Sequence, residues 1–268
     1  MVKSLPSLAD NLIGEVMRFK ALAILIVCLF IVSCSSTRPK GQTEAEILYK
    51  EAKKLVEDNQ YLMAIEKLNK IQSEHPYSFY ATPSELLRAD VYFKQKNFQE
   101  AAASYKIFLE LHPGHKEAAY VLWQLAESYF NELPPTHDRD LASAESAIEF
   151  YRVLLKNYPN SKHVDSAQKR IKSCKKMLKE KEKYIADFYF RTEVYISARY
   201  RYLDILKRYQ ETPLRDISMV RVLESSFYLK DYSSCLKYLE VYRGLVSKEY
   251  KSKIDSVGKK CRAHSNES

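Results

Sequence analysis

The sequence predicts an all-α fold, a solenoid of about five helical hairpins. Three observations carry that expectation. A small residue followed four positions later by an aromatic or leucine recurs five times: Ala64 with Leu68, Ala101 with Tyr105, Ala147 with Tyr151, Ala198 with Tyr202 and Cys235 with Leu239. In the first three, a proline follows the small residue at the same interval of 12 (Pro76, Pro113, Pro159). The chain also holds only 5 glycines beside 21 tyrosines and 11 phenylalanines, a balance that disfavours glycine-rich phosphate loops and suits helices packed through rings.

The first residues of the chain are expected to be removed. Residues 21–32 are uncharged and apolar behind Arg18 and Lys20, long enough for a signal-peptide core and too short to span a bilayer, which takes about 20 residues. Ile31-Val32-Ser33-Cys34 follows and resembles the lipobox of bacterial lipoproteins. That resemblance implies that residues 1–33 are cleaved and that the Cys34 thiol carries diacylglycerol. Met17-Arg18-Phe19-Lys20 is itself a normal basic start, so translation is expected to begin at Met17. Residues 34–43, polar with Pro39 and Gly41, read as a tether. Ser35 after the cysteine, in place of Asp, implies sorting to the outer membrane.

The repeats come next. Twelve residues before the small residue stands another, Ala52, Ala89 or Ala186, with Leu55, Tyr92 or Tyr189 three positions on. Small residues let two helix axes approach, aromatics fill the adjoining layer, and proline ends the second helix. Asn59-Gln60-Tyr61, Lys96-Asn97-Phe98 and Lys230-Asp231-Tyr232 read as the turns inside the hairpins. In the third repeat Ala126 and Tyr129 mark the first helix, and residues 131–140, with Pro134 and Pro135, delay the second. Residues 164–183 read as an extra basic helical stretch before the fourth. This pattern resembles the tetratricopeptide repeat, and five units in register imply a stacked array.

The formal net charge is +9, of which residues 1–33 supply +1. Residues 162–183 carry a local +6 and residues 243–262 a local +5. Such stretches suit an anionic surface or an acidic partner; export excludes nucleic acid as a partner, and a solvated helix face accounts for most of these lysines. Apart from Cys28 and Cys34 the cysteines are Cys174, Cys235 and Cys261. Cys235 reads most simply as a small buried hydrophobe, a Cys235–Cys261 disulfide being the alternative.

A lipobox, a short tether, five repeats and a stretched third repeat together resemble the BamD family, the lipoproteins of the outer-membrane β-barrel assembly machinery. Local resemblances are Ala64-Ile65 with His75-Pro76-Tyr77, the inserted His137-Asp138-Arg139-Asp140, Tyr158-Pro159-Asn160-Ser161, Lys169-Arg170, and Ala186 with Phe188-Tyr189-Phe190-Arg191 and Tyr195. They cover residues 44–213 well and the last repeat loosely; the insertion is shorter than in enteric relatives, and Gln210 replaces the usual repeat-ending proline. The resemblance implies a non-enzymatic scaffold on the periplasmic face of the outer membrane. Its partners would be a BamA-type barrel protein, the other assembly lipoproteins and unfolded outer-membrane proteins. Residues 44–160 (repeats 1–3) would form the substrate-binding half, residues 161–262 (repeats 4–5) the partner-binding half, and residues 263–268 a polar tail. A lipoprotein coordinating cell-wall or division machinery, of the Tol-Pal-associated type, is the alternative, although no heptad run is present.

In this repeat family the first helices line the concave side. Residues three before and four after Ala52, Ala89 and Ala126 should therefore face a groove: Tyr49 and Val56, Leu86 and Phe93, Trp123 and Phe130, with Tyr120 one turn before Trp123. Lys53 and Lys94 flank it. Aromatics edged by ammonium groups suit a peptide ending in an aromatic residue and a free carboxylate; the competing reading is that these rings are core. Arg201, between Tyr200 and Tyr202 read as packing residues, aligns with an arginine that the family directs at an acidic site on BamA. No metal or cofactor is expected. His112 and His115 bracket a Pro-Gly turn, and 137–140 suits helix capping better than catalysis.

Overall fold

A computed structural model describes residues 43–265. The signal segment 1–33, the two candidate starts, Cys34 and the tether up to residue 42 lie outside the described residues, as do residues 266–268. The described residues form eleven α-helices and no strand. These are α1 (Glu44–Glu57), α2 (Tyr61–Glu74), α3 (Ala81–Lys94), α4 (Phe98–Leu111), α5 (Ala118–Asn131), α6 (Ala142–Asn157), α7 (Val164–Arg191), α8 (Tyr195–Arg208), α9 (Leu214–Tyr228), α10 (Tyr232–Tyr242) and α11 (Lys248–Ser265). They pair as five hairpins, α1/α2 to α9/α10, with α11 behind the last. Among them, no helix is long and apolar enough to cross a membrane. The chain divides into two compact units, one ending at Ala81 and the other beginning at Thr82.

The first unit is the α1/α2 hairpin. Thr43 starts α1 as its N-cap, its hydroxyl accepting from the Glu46 N–H at 3.2 Å. Ala45, Leu48 and Ile71 form its buried centre, with Tyr49 and Tyr80 packed against them. The second unit holds the other four hairpins and α11. Its α7 runs unbroken through 28 residues, so the basic stretch and the first helix of repeat four are one element.

The small residues sit where the repeat demands. Ala52, Ala64, Ala89, Ala101, Ala126, Ala147, Ala186, Ala198 and Cys235 are all fully buried. The turns are equally regular. In the first, the N–H of Gln60 reaches back to the Leu55 carbonyl and that of Asn59 to Val56, the paired pattern that closes a helix on a left-handed residue. Lys96 with Asn97, Glu193 with Val194, and Lys230 with Asp231 repeat it. The left-handed residues are Asn59, Lys96, Glu193 and Lys230, with φ between 58° and 62°, and none is glycine. The third hairpin lacks this turn because the insertion intervenes. There the Asp140 carboxylate, one position before the N-cap Leu141, accepts from the Ala142 N–H at 3.3 Å.

Two expectations change at the C-terminal end. Cys235 is buried as expected, yet it is not a free thiol: it forms a disulfide with Cys261 across 26 residues, joining α10 to α11. Their Cα atoms stand 6.3 Å apart, inside the range a disulfide spans, and sequence spacing alone could not place α11 against α10. Helix α11 continues through Ser265, so the first three residues of the expected tail are helical. Gly258 lies one turn before Cys261, and a Cβ there would meet the Leu239 side chain at 2.4 Å. Glycine thus sets how closely α11 approaches α10.

A left-handed conformation costs a non-glycine residue about 1–2 kcal/mol, more than the roughly 0.5–1 kcal/mol of extra chain entropy that glycine loses. Lys96→Gly, Glu193→Gly and Lys230→Gly are each expected to raise the melting midpoint by about 1–3 °C. Asn59→Gly should gain less, because Asn tolerates this region. Thermal melts followed by circular dichroism check both.

Candidate polypeptide-binding site

The site residues stand on polar contacts that recur at fixed repeat positions. One residue after the first-helix alanine stands an acid, and four after the second-helix alanine stands a fully buried tyrosine whose hydroxyl donates to it. In repeat two, Tyr105 donates to Asp90 at 2.7 Å, Tyr120 of α5 donates to the same oxygen at 2.8 Å, and Gln124 donates to the Tyr105 oxygen at 3.4 Å. In repeat three, Tyr151 donates to Glu127, which also takes a bidentate pair from Arg170 of α7 at 2.9 and 3.1 Å. In repeat four, Tyr202 donates to Asp187 at 2.5 Å, and Lys183 binds the other oxygen. Burial pushes the Asp90 carboxyl above its usual range and the Tyr105, Tyr120, Tyr151 and Tyr202 hydroxyls well above theirs. All four phenols therefore stay protonated and act as donors.

The groove residues read from sequence fall among these contacts. Within the second unit, Tyr120, Trp123 and Phe130 share one stripe of α5 with Glu127. Tyr120 is spent on Asp90. Trp123 stacks on His163, ring centres 4.7 Å apart and planes 10° from parallel, and leans on Tyr151. Phe130 carries the Arg170 guanidinium 4.2 Å above its ring. Phe93 packs edge-on against Phe98, and Lys94 is exposed. In the first unit Tyr49 is half-buried beside Tyr80 at 5.4 Å, Val56 is buried and Lys53 is exposed. Of the residues read as packing beside Arg201, Tyr202 is buried but Tyr200 is 70% exposed. On its helix Tyr200 points away from the face that Tyr202 and Ala198 bury, so that expectation is corrected. Arg201 itself is partly exposed, 3.9 Å from Glu182 of α7.

An open cleft lies elsewhere in the second unit, between α7, α9 and α11. Tyr184, Phe190 and Arg191 of α7 line one wall, Val220, Arg221 and Glu224 of α9 the floor, and Tyr250 and Lys253 of α11 the other wall. Arg221 lies 4.1 Å over the Phe190 ring and pairs with Glu224 at 2.8 Å, and Lys253 stands 4.9 Å over Tyr250. His137 of the insertion touches Tyr184 edge-on. Rings carrying cations suit a peptide with apolar side chains and a carboxylate. This cleft escaped the sequence reading because α11 belongs to none of the five repeats. The acid–tyrosine contacts left a visible trace: acids follow the first-helix alanine in the three repeats whose second helix carries tyrosine, while repeat one pairs Lys53 with Leu68.

Among the described residues, Glu44, Glu74 and His75 are the one group close enough to share a cation. The Lys70 ammonium already stands 3.2 and 3.5 Å from the two carboxylates.

This is an all-helical repeat scaffold whose second unit carries an open cleft lined by rings and cations. Residues 41–232 match the model of the YfiO family, described as outer membrane lipoprotein, and the chain belongs to that family. It is 28% identical over 224 residues to the outer membrane protein assembly factor BamD of Vibrio cholerae, spanning 78% of this chain and 91% of that protein. To BamD of Rickettsia prowazekii it is 27% identical, spanning 82% and 88%. A solved complex of the yeast Sti1 TPR2AB domain is 17% identical, with a TM-score of 0.42 over 83% of this chain and all of that one.

Two expectations test these contacts. Arg170→Ala leaves Glu127, only 7% exposed, with the Tyr151 hydroxyl alone, a loss of about 3 kcal/mol; denaturant unfolding measures it. Burial, with the Lys162 ammonium beside it, holds the His163 imidazole below 6.5. Its contribution to stability is therefore complete above the unfolded value of 6.5 and is lost as pH falls through the lower folded value. Trp123 is the only tryptophan, so its fluorescence reports the stack. His163→Phe should keep the stack and shrink the difference in melting point between about pH 7.5 and about pH 5.

Proposed function

We propose that this chain is an outer membrane protein assembly factor, a periplasmic scaffold that binds a BamA-type barrel protein and receives unfolded outer-membrane proteins. In this reading the Cys34 lipid anchors it to the outer membrane, and other assembly lipoproteins join the same complex. Membership of an outer-membrane lipoprotein family supports the setting, and the assembly-factor names of the relatives from Vibrio and Rickettsia support the role. The geometry that carries it is the cleft of α7, α9 and α11, where rings and cations alternate on one concave surface. In this reading the candidate substrate contacts are Phe93, Lys94, Tyr120, Trp123 and Phe130 in the second unit and, in the first unit taken by itself, Tyr49 and Lys53, while repeats 4–5 are the proposed partner half.

Arg201 is the contact proposed for the barrel protein. Its guanidinium is partly exposed and 3.9 Å from Glu182, so a partner carboxylate can replace or share that pairing at little cost. An ion pair desolvated at an interface is worth about 2 kcal/mol or more. The full-length protein, tagged at its C-terminus and recovered from detergent-solubilised outer membranes, is expected to bring down a large barrel protein with repeated periplasmic domains. Arg201→Glu should cut that recovery at least about tenfold. Recovery of cell-wall components in its place overturns the assembly role; undiminished recovery by the Arg201→Glu variant overturns the part given to Arg201.

A further inference from the structure

A second cleft opens further toward the N-terminal end of α7, lined by none of the residues of the first, and the proposed function leaves it unused. It lies between the first half of α7 and the end of α8, with a volume of about 640 Å³. Lys172, Lys175 and Lys179 stand along one stripe of α7, spaced three and four residues apart, so all three ammonium groups face the same way. Lys176, 3.8 Å from Glu180, and Arg208 also line it, and Ile171, Leu178 and Tyr209 add apolar surface. Among the described residues lining it, Glu211 is the only acid.

Glu211 is the carboxylate the cleft already holds. It sits in the connection after α8, 70% exposed, yet its carboxylate accepts a hydrogen bond from Lys179 at 2.5 Å. Lys179, then Lys175 and Lys172, hold its carboxyl below the usual range. One carboxylate answers three lysines, so the cleft keeps a surplus of positive charge. Arg208 is turned the other way, toward Asp204 and Glu182.

We propose that this cleft binds an extended acidic segment of a partner polypeptide, with Glu211 occupying the place of one of its carboxylates. The segment would carry Asp or Glu at alternate positions with aliphatic residues between them, carboxylates on the lysines and aliphatic side chains on Ile171, Leu178 and Tyr209. A cleft that sets cations beside apolar side chains fits an inserted chain that offers carboxylates and aliphatic groups in alternation. The inference rests on this cleft alone and does not depend on the assembly role.

The probe is a fluorescein-labelled peptide of alternating Glu and Leu, titrated against the full-length protein by anisotropy, beside the matched peptide of alternating Gln and Leu. The acidic peptide should bind and weaken as salt rises. Lys175→Glu with Lys179→Glu should reduce its affinity at least about tenfold, and Glu211→Gln should tighten it by about threefold or more, because the internal competitor is gone. The lysines are surface groups, so an unchanged melting curve confirms that the variants remain folded. Equal binding of the Gln–Leu peptide, or an affinity indifferent to both sets of substitutions, overturns the proposal. So does a preference for vesicles of phosphatidylglycerol and phosphatidylethanolamine that the lysine reversals abolish while leaving peptide binding unchanged. An Arg201→Glu variant that loses the barrel protein yet keeps this peptide separates the two sites.

Discussion

The close approach of two helices at a pair of alanines is the constraint on which the rest of the structure rests. Where Ala89 meets Ala101, Ala126 meets Ala147 and Ala186 meets Ala198, no side chain holds the axes apart, and the neighbouring positions are drawn into contact. The residue after the first alanine then faces the ring four positions after the second. In repeats two to four that encounter is an acid against a tyrosine. A buried carboxylate is costly unless it is hydrogen-bonded, so each contact demands further donors. Tyr120, Arg170 and Lys183 supply them. Tyr120 and Arg170 come from the next hairpin, so the same chemistry that closes one repeat orients its successor.

The last repeat solves the problem differently. Leu239 stands where a buried tyrosine would be, and Glu224 turns to Arg221. With no acid–tyrosine contact, α11 packs on the hairpin through Gly258 and is tied to it by the Cys235–Cys261 disulfide. In a chain-entropy view a loop of this length stabilises by about 3–4 kcal/mol. The same helix gives Tyr250 and Lys253 to the cleft of α7, α9 and α11, so the covalent tie also helps fix the shape of that cleft.

Two clefts open along one unit. Rings under cations line the cleft of α7, α9 and α11, while lysines beside apolar side chains line that of α7 and α8. Both use α7, whose 28 residues are long enough to present its C-terminal half to one cleft and its N-terminal half to the other. The basic stretch is thus more than a solvated face: Arg170 completes the Glu127 network, Lys179 holds Glu211 and Lys183 holds Asp187.

The five hairpins, their small-residue contacts, the three turns at Asn59, Lys96 and Lys230, and the delayed third repeat were determined by the sequence itself. These are local consequences of period, of proline and of residue size, and they act over a dozen positions. The candidate site was legible only in part. Trp123 and Phe130 read from sequence as groove residues, but whether such a ring meets solvent or another helix depends on elements far along the chain, here His163 and Arg170. The Cys235–Cys261 bond, the exposure of Tyr200 and both clefts were likewise decided by tertiary structure. Each depends on how α7 and α11 lie against neighbouring helices, and that follows from side-chain packing between hairpins, which no single repeat encodes.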